Sequence, residues 1–229
     1  MGLTDMYVSL PSDFKAPEQF NIPVELAAKP NDTRLKSGAY LFFEGDPVEW
    51  LYQVQSGVLR LTRVLEDGRR QVIAFGFPGD VVGFPSNGLH HTDCDALVDT
   101  RLRPYRRSAL EHADADPMLH RQLLNAALHE ISAMQDHCMM LGCKSAAEKV
   151  ASFLCVLTNR IGKDADGYQM VRLPMSRSDI ADFLGLTTET VCRTFTQLRK
   201  SRIIEIENIY TITVLRPDAL LGLTITDRD

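Results

Sequence analysis

Apolar positions between Gly38 and Leu102 come in short runs, AYLFF, WLYQVQ, VLRLTRV, QVIAFGF and ALVDTRL, separated by turns at Gly45, Gly57, Gly68, Gly79 and Gly83. Runs of that length and spacing predict an antiparallel barrel or roll. In VLRLTRVLEDGRRQVIAFGF the pair Asp67-Gly68 tolerates positive φ, which predicts a two-residue hairpin turn with Leu59, Leu61, Ile73 and Phe75 facing inward. The period then lengthens. Asp116 is a cap and Pro117 is pre-set for the first helical position. Beyond them Leu124, Ala127, Ile131, Met134, Cys138 and Leu141 recur at alternating spacings of three and four, ending at Gly142. A helix over 117–141 would be about 37 Å long, and its narrow seam suits pairing with a symmetry mate. The alternative is packing on its own roll.

A capping box, Ser145 with Glu148, opens another helix carrying Val150, Phe153, Leu154 and Leu157 on one side and closing at Ile161-Gly162. GKDADGYQ follows as a polar connection. In MSRSDIADFLGLTTETVCRTFTQLRKSRII two helices meet at Gly185. Ser176 caps the first, with Asp179 three residues on, and Ile180, Ala181 and Leu184 face inward. Leu186 fills the turn, Thr187 or Thr188 caps the second helix, and Val191, Phe195 and Leu198 form its buried stripe. This is a helix-turn-helix, and IIEIENIYTITV reads as a two-stranded wing. Residues 1–30 read as a proline-containing arm with a short helix at Pro23–Ala28 and no evident chemistry.

Composition narrows the class. With 229 residues, 45% hydrophobic and 24% charged, the chain is globular and long enough for two modest domains. No run approaches the roughly 18 apolar residues of a membrane span, and the first residues lack a secretion-signal layout, so a cytoplasmic protein is expected. Five cysteines, odd in number and never CxxC, suggest neither disulfides nor a thiolate zinc site. Net charge is −5, yet residues 144–229 hold 12 bases against 11 acids, so nucleic-acid contact must come from a local basic face.

That face is on the second helix. Thr188, Glu189, Cys192 and Arg193 are the candidate base-reading residues, since arginine donates two hydrogen bonds to guanine and glutamate accepts from the cytosine amine. Arg177, Thr196, Arg199, Lys200 and Arg202 are candidate phosphate contacts. Taken alone, Glu189 and Arg193 would be an ordinary surface pair at i,i+4, and the mutual attraction would hold Arg193 in its reading rotamer.

LPMSRSDIADFLGLTTETVCRTFTQL resembles the DNA-binding domain of the CRP/FNR superfamily of bacterial transcription regulators. The Glu189–Arg193 pair resembles that of its FNR and FixK branches, and ETVCR is most similar to FixK proteins. The resemblance implies an α+β chain: a 1–30 arm, an antiparallel β-roll like a cyclic-nucleotide-binding domain over 31–115, a dimerisation helix over 116–142 and a winged helix-turn-helix over 143–229. It further implies a homodimer, a TTGA…TCAA palindrome, activation through RNA polymerase, and physiology linked to low oxygen or nitrogen fixation. Where relatives that bind cyclic AMP carry Gly-Glu-Leu and Arg-Ser/Thr-Ala, this chain has Gly83-Phe84-Pro85 and His90-His91-Thr92-Asp93-Cys94-Asp95-Ala96. Its first cysteine is Cys94, too few and too late for an N-terminal iron-sulfur cluster. No cofactor and no metal are therefore expected, and His90-His91 read as polar filler. Cys192, beside Arg193 and near a helix start, is the redox candidate, while Cys138 and Cys155 read as small buried hydrophobes. His112, His120, His129 and His137 read as solvated. Three other readings are a ligand- or haem-sensing regulator of the same superfamily, a ligand-binding module without DNA activity, and a cupin-type enzyme. The last lacks ligands, since no histidine lies between Gly38 and Phe84.

Overall fold

Alternating apolar residues between Thr33 and Arg106 build two sheets that share one interior. The structure, a computed structural model, describes residues 32–113, 116–165 and 167–224, which fall into two units, 32–131 and 132–224. The short helix expected at Pro23–Ala28 lies outside the described residues.

In the first unit the strands are β1 (Thr33–Leu35), β2 (Tyr40–Phe42), β3 (Trp50–Ser56), β4 (Leu59–Val64), β5 (Arg70–Gly76), β6 (Val81–Val82), β7 (Asp93–Ala96) and β8 (Thr100–Arg106), followed by α1 (Ser108–Glu111). They pair antiparallel in the orders β1-β8-β3-β6 and β2-β7-β4-β5. Phe42, Leu59, Leu61, Cys94 and Ala96 from one sheet meet Val54, Val82 and Leu102 from the other in a single buried cluster. Each fully buried side chain of Leu size contributes about 1.5 to 3 kcal/mol there. Across β4 and β7, Arg60 grips Asp95 with two bonds of 3.0 and 2.9 Å.

Three local expectations change. ALVDTRL is not one strand, because it contains the turn between β7 and β8. The β4–β5 hairpin closes on three residues, Glu66-Asp67-Gly68: the Gly68 N–H donates to the Leu65 carbonyl at 2.8 Å and the Leu65 N–H to the Arg69 carbonyl at 2.9 Å. Gly68, at φ +83°, is the left-handed residue that such a loop requires. Finally, Leu61 faces Ala74 while Thr62 faces Val72, a bulge that leaves Ile73 half-exposed and buries Val72 in its place.

The helix α2 (Pro117–Cys143) contributes to both units and, at 27 residues, is about 40 Å long. Asp116 caps it, accepting from the Leu119 N–H at 2.9 Å. The helix runs through Gly142 instead of stopping there, since a glycine in the last turn costs only about 1 kcal/mol. Chain direction changes at Ser145, where the capping box of α3 (Ala146–Ile161) forms as expected. Gly162 ends α3 at φ −63°, and glycine is needed because a Cβ would collide with the Thr158 carbonyl oxygen.

The second unit continues with β9 (Lys163–Ala165), β10 (Tyr168–Arg172), α4 (Arg177–Leu184), α5 (Thr188–Lys200), β11 (Ile204–Asn208), β12 (Thr211–Val214) and α6 (Pro217–Gly222). GKDADGYQ is thus a hairpin and not a plain connection. The expected two-stranded wing is half of a four-stranded sheet ordered β11-β12-β10-β9.

Candidate nucleic-acid interface

Each helix of the helix-turn-helix starts on a side-chain cap. Asp179 accepts from the Ser176 N–H at 3.0 Å while the Asp179 N–H donates to Ser176 Oγ at 3.1 Å. Thr187, not Thr188, caps α5 by accepting from the Thr190 N–H at 3.1 Å. Between them Gly185 is left-handed, at φ 62° and ψ 41°, and the Leu186 N–H donates back to the Ala181 carbonyl at 3.0 Å. A Cβ on Gly185 would lie 3.3 Å from Leu141 Cδ2, so α2 presses directly on the turn. Ile180, Ala181, Leu184, Val191, Phe195 and Leu198 are buried, which leaves the opposite side of α5 open.

On that open side Thr188, Glu189, Cys192, Arg193, Arg199 and Lys200 are exposed, with Arg202 just beyond the helix, and Thr196 is half-exposed, its Oγ1 donating to the Cys192 carbonyl at 2.9 Å. The side chains of Glu189 and Arg193 make no ion pair or hydrogen bond with any described residue. Their expected mutual lock is therefore not formed, because water competes effectively for two exposed charges. Gln197 is also exposed, one turn beyond Arg193, and its amide can pair with adenine. Helical spacing alone would have found it.

Arg177 sits differently. It is half-buried at the start of α4, its guanidinium 3.8 Å over the Phe195 ring, and one terminal nitrogen is buried with no partner. Burial lowers its pKa from the ordinary guanidinium value, which the Cys192 thiol opposes. Arg202 holds φ +54°, unusual for a residue with a side chain, and the Ile203 N–H closes the end of α5 on the Leu198 carbonyl at 3.0 Å.

Two stripes run along α2. Leu123, Ala133, His137 and Met140 are buried, whereas Leu124, Ile131, Met134 and Cys138, each one position from a member of the buried set or its repeat, are exposed, and Ala127 and Leu141 are half-buried. Cys138 is thus not a buried hydrophobe in the single chain, and Cys155 is half-buried with its thiol pushed up to about 11 by burial. Nor is His137 solvated: it is 8% exposed, its ring lies 4.3 Å from that of Phe183, and burial, then the Lys149 cation, push it down to about 4 against the hydrogen bond to the Phe183 backbone. Among the described residues no group of three or more His, Cys, Asp or Glu is placed to hold a metal, and no helix is long and apolar enough to cross a membrane.

Residues 32–113 match the cyclic nucleotide-binding domain and residues 148–223 the Crp-like helix-turn-helix domain. The nitrogen fixation regulation protein FixK of Rhizobium meliloti is 38% identical over 188 residues, covering 82% of this chain and 84% of the relative. The transcriptional activatory protein AadR of Rhodopseudomonas palustris is 37% identical over 183 residues, 79% of this chain and 77% of that one. FixK2 from Bradyrhizobium japonicum shares the fold at TM-score 0.77 and 37% identity, covering 85% of this chain and 97% of the other. These relatives are transcription regulators, which removes the cupin-type enzyme, and the helix-turn-helix implies DNA binding. Similarity of this extent makes the chain a FixK-like member of the CRP/FNR family of transcription regulators.

Proposed function

We propose that the protein activates transcription as a homodimer whose two α5 helices read a TTGA…TCAA palindrome in successive major grooves. The open face of α5 carries this reading. Arg193 is aimed at guanine and Glu189 at the cytosine amine, with Thr188 and Cys192 beside them; Arg177, Thr196, Arg199, Lys200 and Arg202 meet phosphates. The exposed residues Leu124, Ile131, Met134 and Cys138, with Ala127 and Leu141 half-buried on the same repeat, support the dimer, because an apolar seam of this regularity needs a partner and a second copy supplies the same seam. The name of AadR supports activation, which requires RNA polymerase as a partner, and the FixK names support a role in regulating nitrogen fixation.

Binding without a ligand is part of the proposal. The β-roll does not suit a cyclic nucleotide: Gly83-Phe84-Pro85 offers no carboxylate for a ribose, and Arg60 is committed to Asp95. His90 lies flat on Phe42, rings 3.6 Å apart and 5° from parallel, and burial pushes its pKa down, so it packs as a neutral ring. Control then falls to protein amount or to Cys192, whose exposed thiol sits among the base-reading side chains. Oxidation there would put bulk or charge against DNA. A Cys192→Ser protein should keep its DNA binding in peroxide while the parent loses it; equal loss in both would remove the switch.

Fluorescence anisotropy of the reduced protein on a TTGA…TCAA duplex, beside a scrambled duplex at one fixed salt concentration and with no ligand, tests the main reading. Tight binding to the palindrome alone is expected. Equal affinity for both duplexes, or a requirement for a small molecule, would overturn it.

A further inference from the structure

Charge changes abruptly where the chain leaves α5. Arg193, Arg199, Lys200 and Arg202 make one side of that helix and its exit basic, whereas Ile203 to Val214 contains no lysine, arginine or histidine and two exposed carboxylates, Glu205 and Glu207. Thr213 Oγ1 donates to Glu207 at 3.0 Å and keeps that carboxylate on the strand surface. Duplex DNA presents about one negative charge per 1.7 Å of its axis, so a hairpin of this composition is repelled by the backbone that α5 attracts.

The tip of the same hairpin is apolar. Ile209 is 67% and Tyr210 50% exposed, and Ile209 is the most exposed large hydrophobic residue among those described. Their backbone is held in place. The Tyr210 N–H donates to Asn208 Oδ1 at 2.9 Å, and the Tyr210 carbonyl accepts from the Leu173 N–H at 2.6 Å, which ties the tip to the chain entering the helix-turn-helix. An exposed aromatic on a held backbone beside a bare aliphatic residue loses little backbone entropy on docking, and such pairs anchor protein interfaces.

We propose that this wing tip docks on protein and not on DNA, with Ile209 and Tyr210 entering an apolar recess rimmed by lysine or arginine on RNA polymerase held beside the operator. The proposal rests on the activator reading, since polymerase is the protein an activator brings within reach of its wing. The carboxylates select the basic rim and turn the wing from the phosphates, so one hairpin separates the two contacts.

Two double variants test it, Ile209→Ser with Tyr210→Ser and Glu205→Gln with Glu207→Gln, each measured twice. Duplex anisotropy on the palindrome reads DNA binding and reports that the fold survives. Transcript yield with purified bacterial RNA polymerase holoenzyme, on a promoter carrying the palindrome, reads activation. Duplex affinity should stay within about twofold of the parent while transcripts fall about tenfold for the apolar pair. The carboxylate pair should lose less and make activation less sensitive to salt. Unchanged transcripts in both variants would overturn the proposal and leave the activator reading standing. A fall in duplex affinity that matches the fall in transcripts would make the wing a DNA grip, also overturning it. If the parent binds the duplex but raises no transcript, the activator reading fails and the docking proposal with it.

Discussion

Arg202, proposed as a phosphate contact, would serve DNA binding at some cost to the fold. At φ +54° it occupies the position after α5 that glycine takes at lower cost, yet it keeps a long exposed cation beside Arg199 and Lys200. Arg202→Gly should therefore raise stability by about 0.5 to 1 kcal/mol in a denaturant melt and weaken binding to specific and random duplexes alike. A variant that is less stable than the parent would show that the left-handed backbone carries no strain. Arg193 is expected to behave differently. Arg193→Ala should cost about 1 to 3 kcal/mol on the palindrome and relax preference at the guanine, while Lys200→Ala lowers affinity for all sequences and flattens the salt slope. Equal loss on both duplexes for Arg193→Ala would take base reading away from it. The shared exposed face on which both proposed roles rest is legible in the sequence, because residue order fixes a helical face. The Arg177 stack on Phe195 is not, because it joins residues on two helices whose crossing no local pattern encodes.

At the scale of elements, α2 was half legible. Its exposed seam stands out as unbroken apolar repeats, but the inward stripe is interrupted by Glu130 and His137, which a hydrophobic period discards. Those two residues give the helix opposite pH responses. Burial, with the Asp80 carboxylate nearby, pushes Glu130 up to about 7 from an ordinary 4.5. The folded state thus holds this proton more tightly than the unfolded one, and stability is lost as pH rises from about 4.5 to 7. Because Glu130 is partly exposed, Glu130→Gln should gain only about 1 to 2 kcal/mol at pH 8 and nothing at pH 4. For His137, pushed down to about 4, the unfolded state binds the proton first, so stability is lost as pH falls from 6.5 toward 4. Urea melts at pH 7 and pH 5 should differ by up to about 2 kcal/mol from this source, and His137→Gln should flatten the difference. An unchanged difference in the variant would place the acid sensitivity elsewhere. The β-roll was legible for the same reason as the seam, through alternation, and the reading failed where alternation is locally suspended, at the Ile73 bulge and in three- and two-residue strands such as β1 and β6.

For the molecule as a whole, in the proposed dimer the two stripes would make α2 a link between dimerisation and reading. Its inner side meets α4 through His137 on Phe183, and Leu141, half-buried where the seam ends, meets the turn at Gly185, so contacts that hold the proposed outer seams together would also bear on the spacing of the two α5 helices. A residue on a two-fold seam faces its own copy, so Ile131→Glu would set two carboxylates against each other in an apolar contact. Ile131 is 53% exposed in the single chain, so the change should leave circular dichroism and single-chain stability nearly intact. Sedimentation should then report a monomer. Affinity for the full palindrome should drop at least about a hundredfold, toward that of one half-site, because the second half-site no longer binds at the effective concentration the dimer provides. Asn125→Glu, exposed on α2 but off the seam, adds the same charge and should change neither quantity. If both variants remain dimers, the chains meet through another surface, and the regular exposed stripe on α2 would then need a different occupant. If Ile131→Glu is monomeric yet binds the palindrome as the parent does, each chain reads its half-site independently, and the operator's two-fold symmetry would owe nothing to this helix.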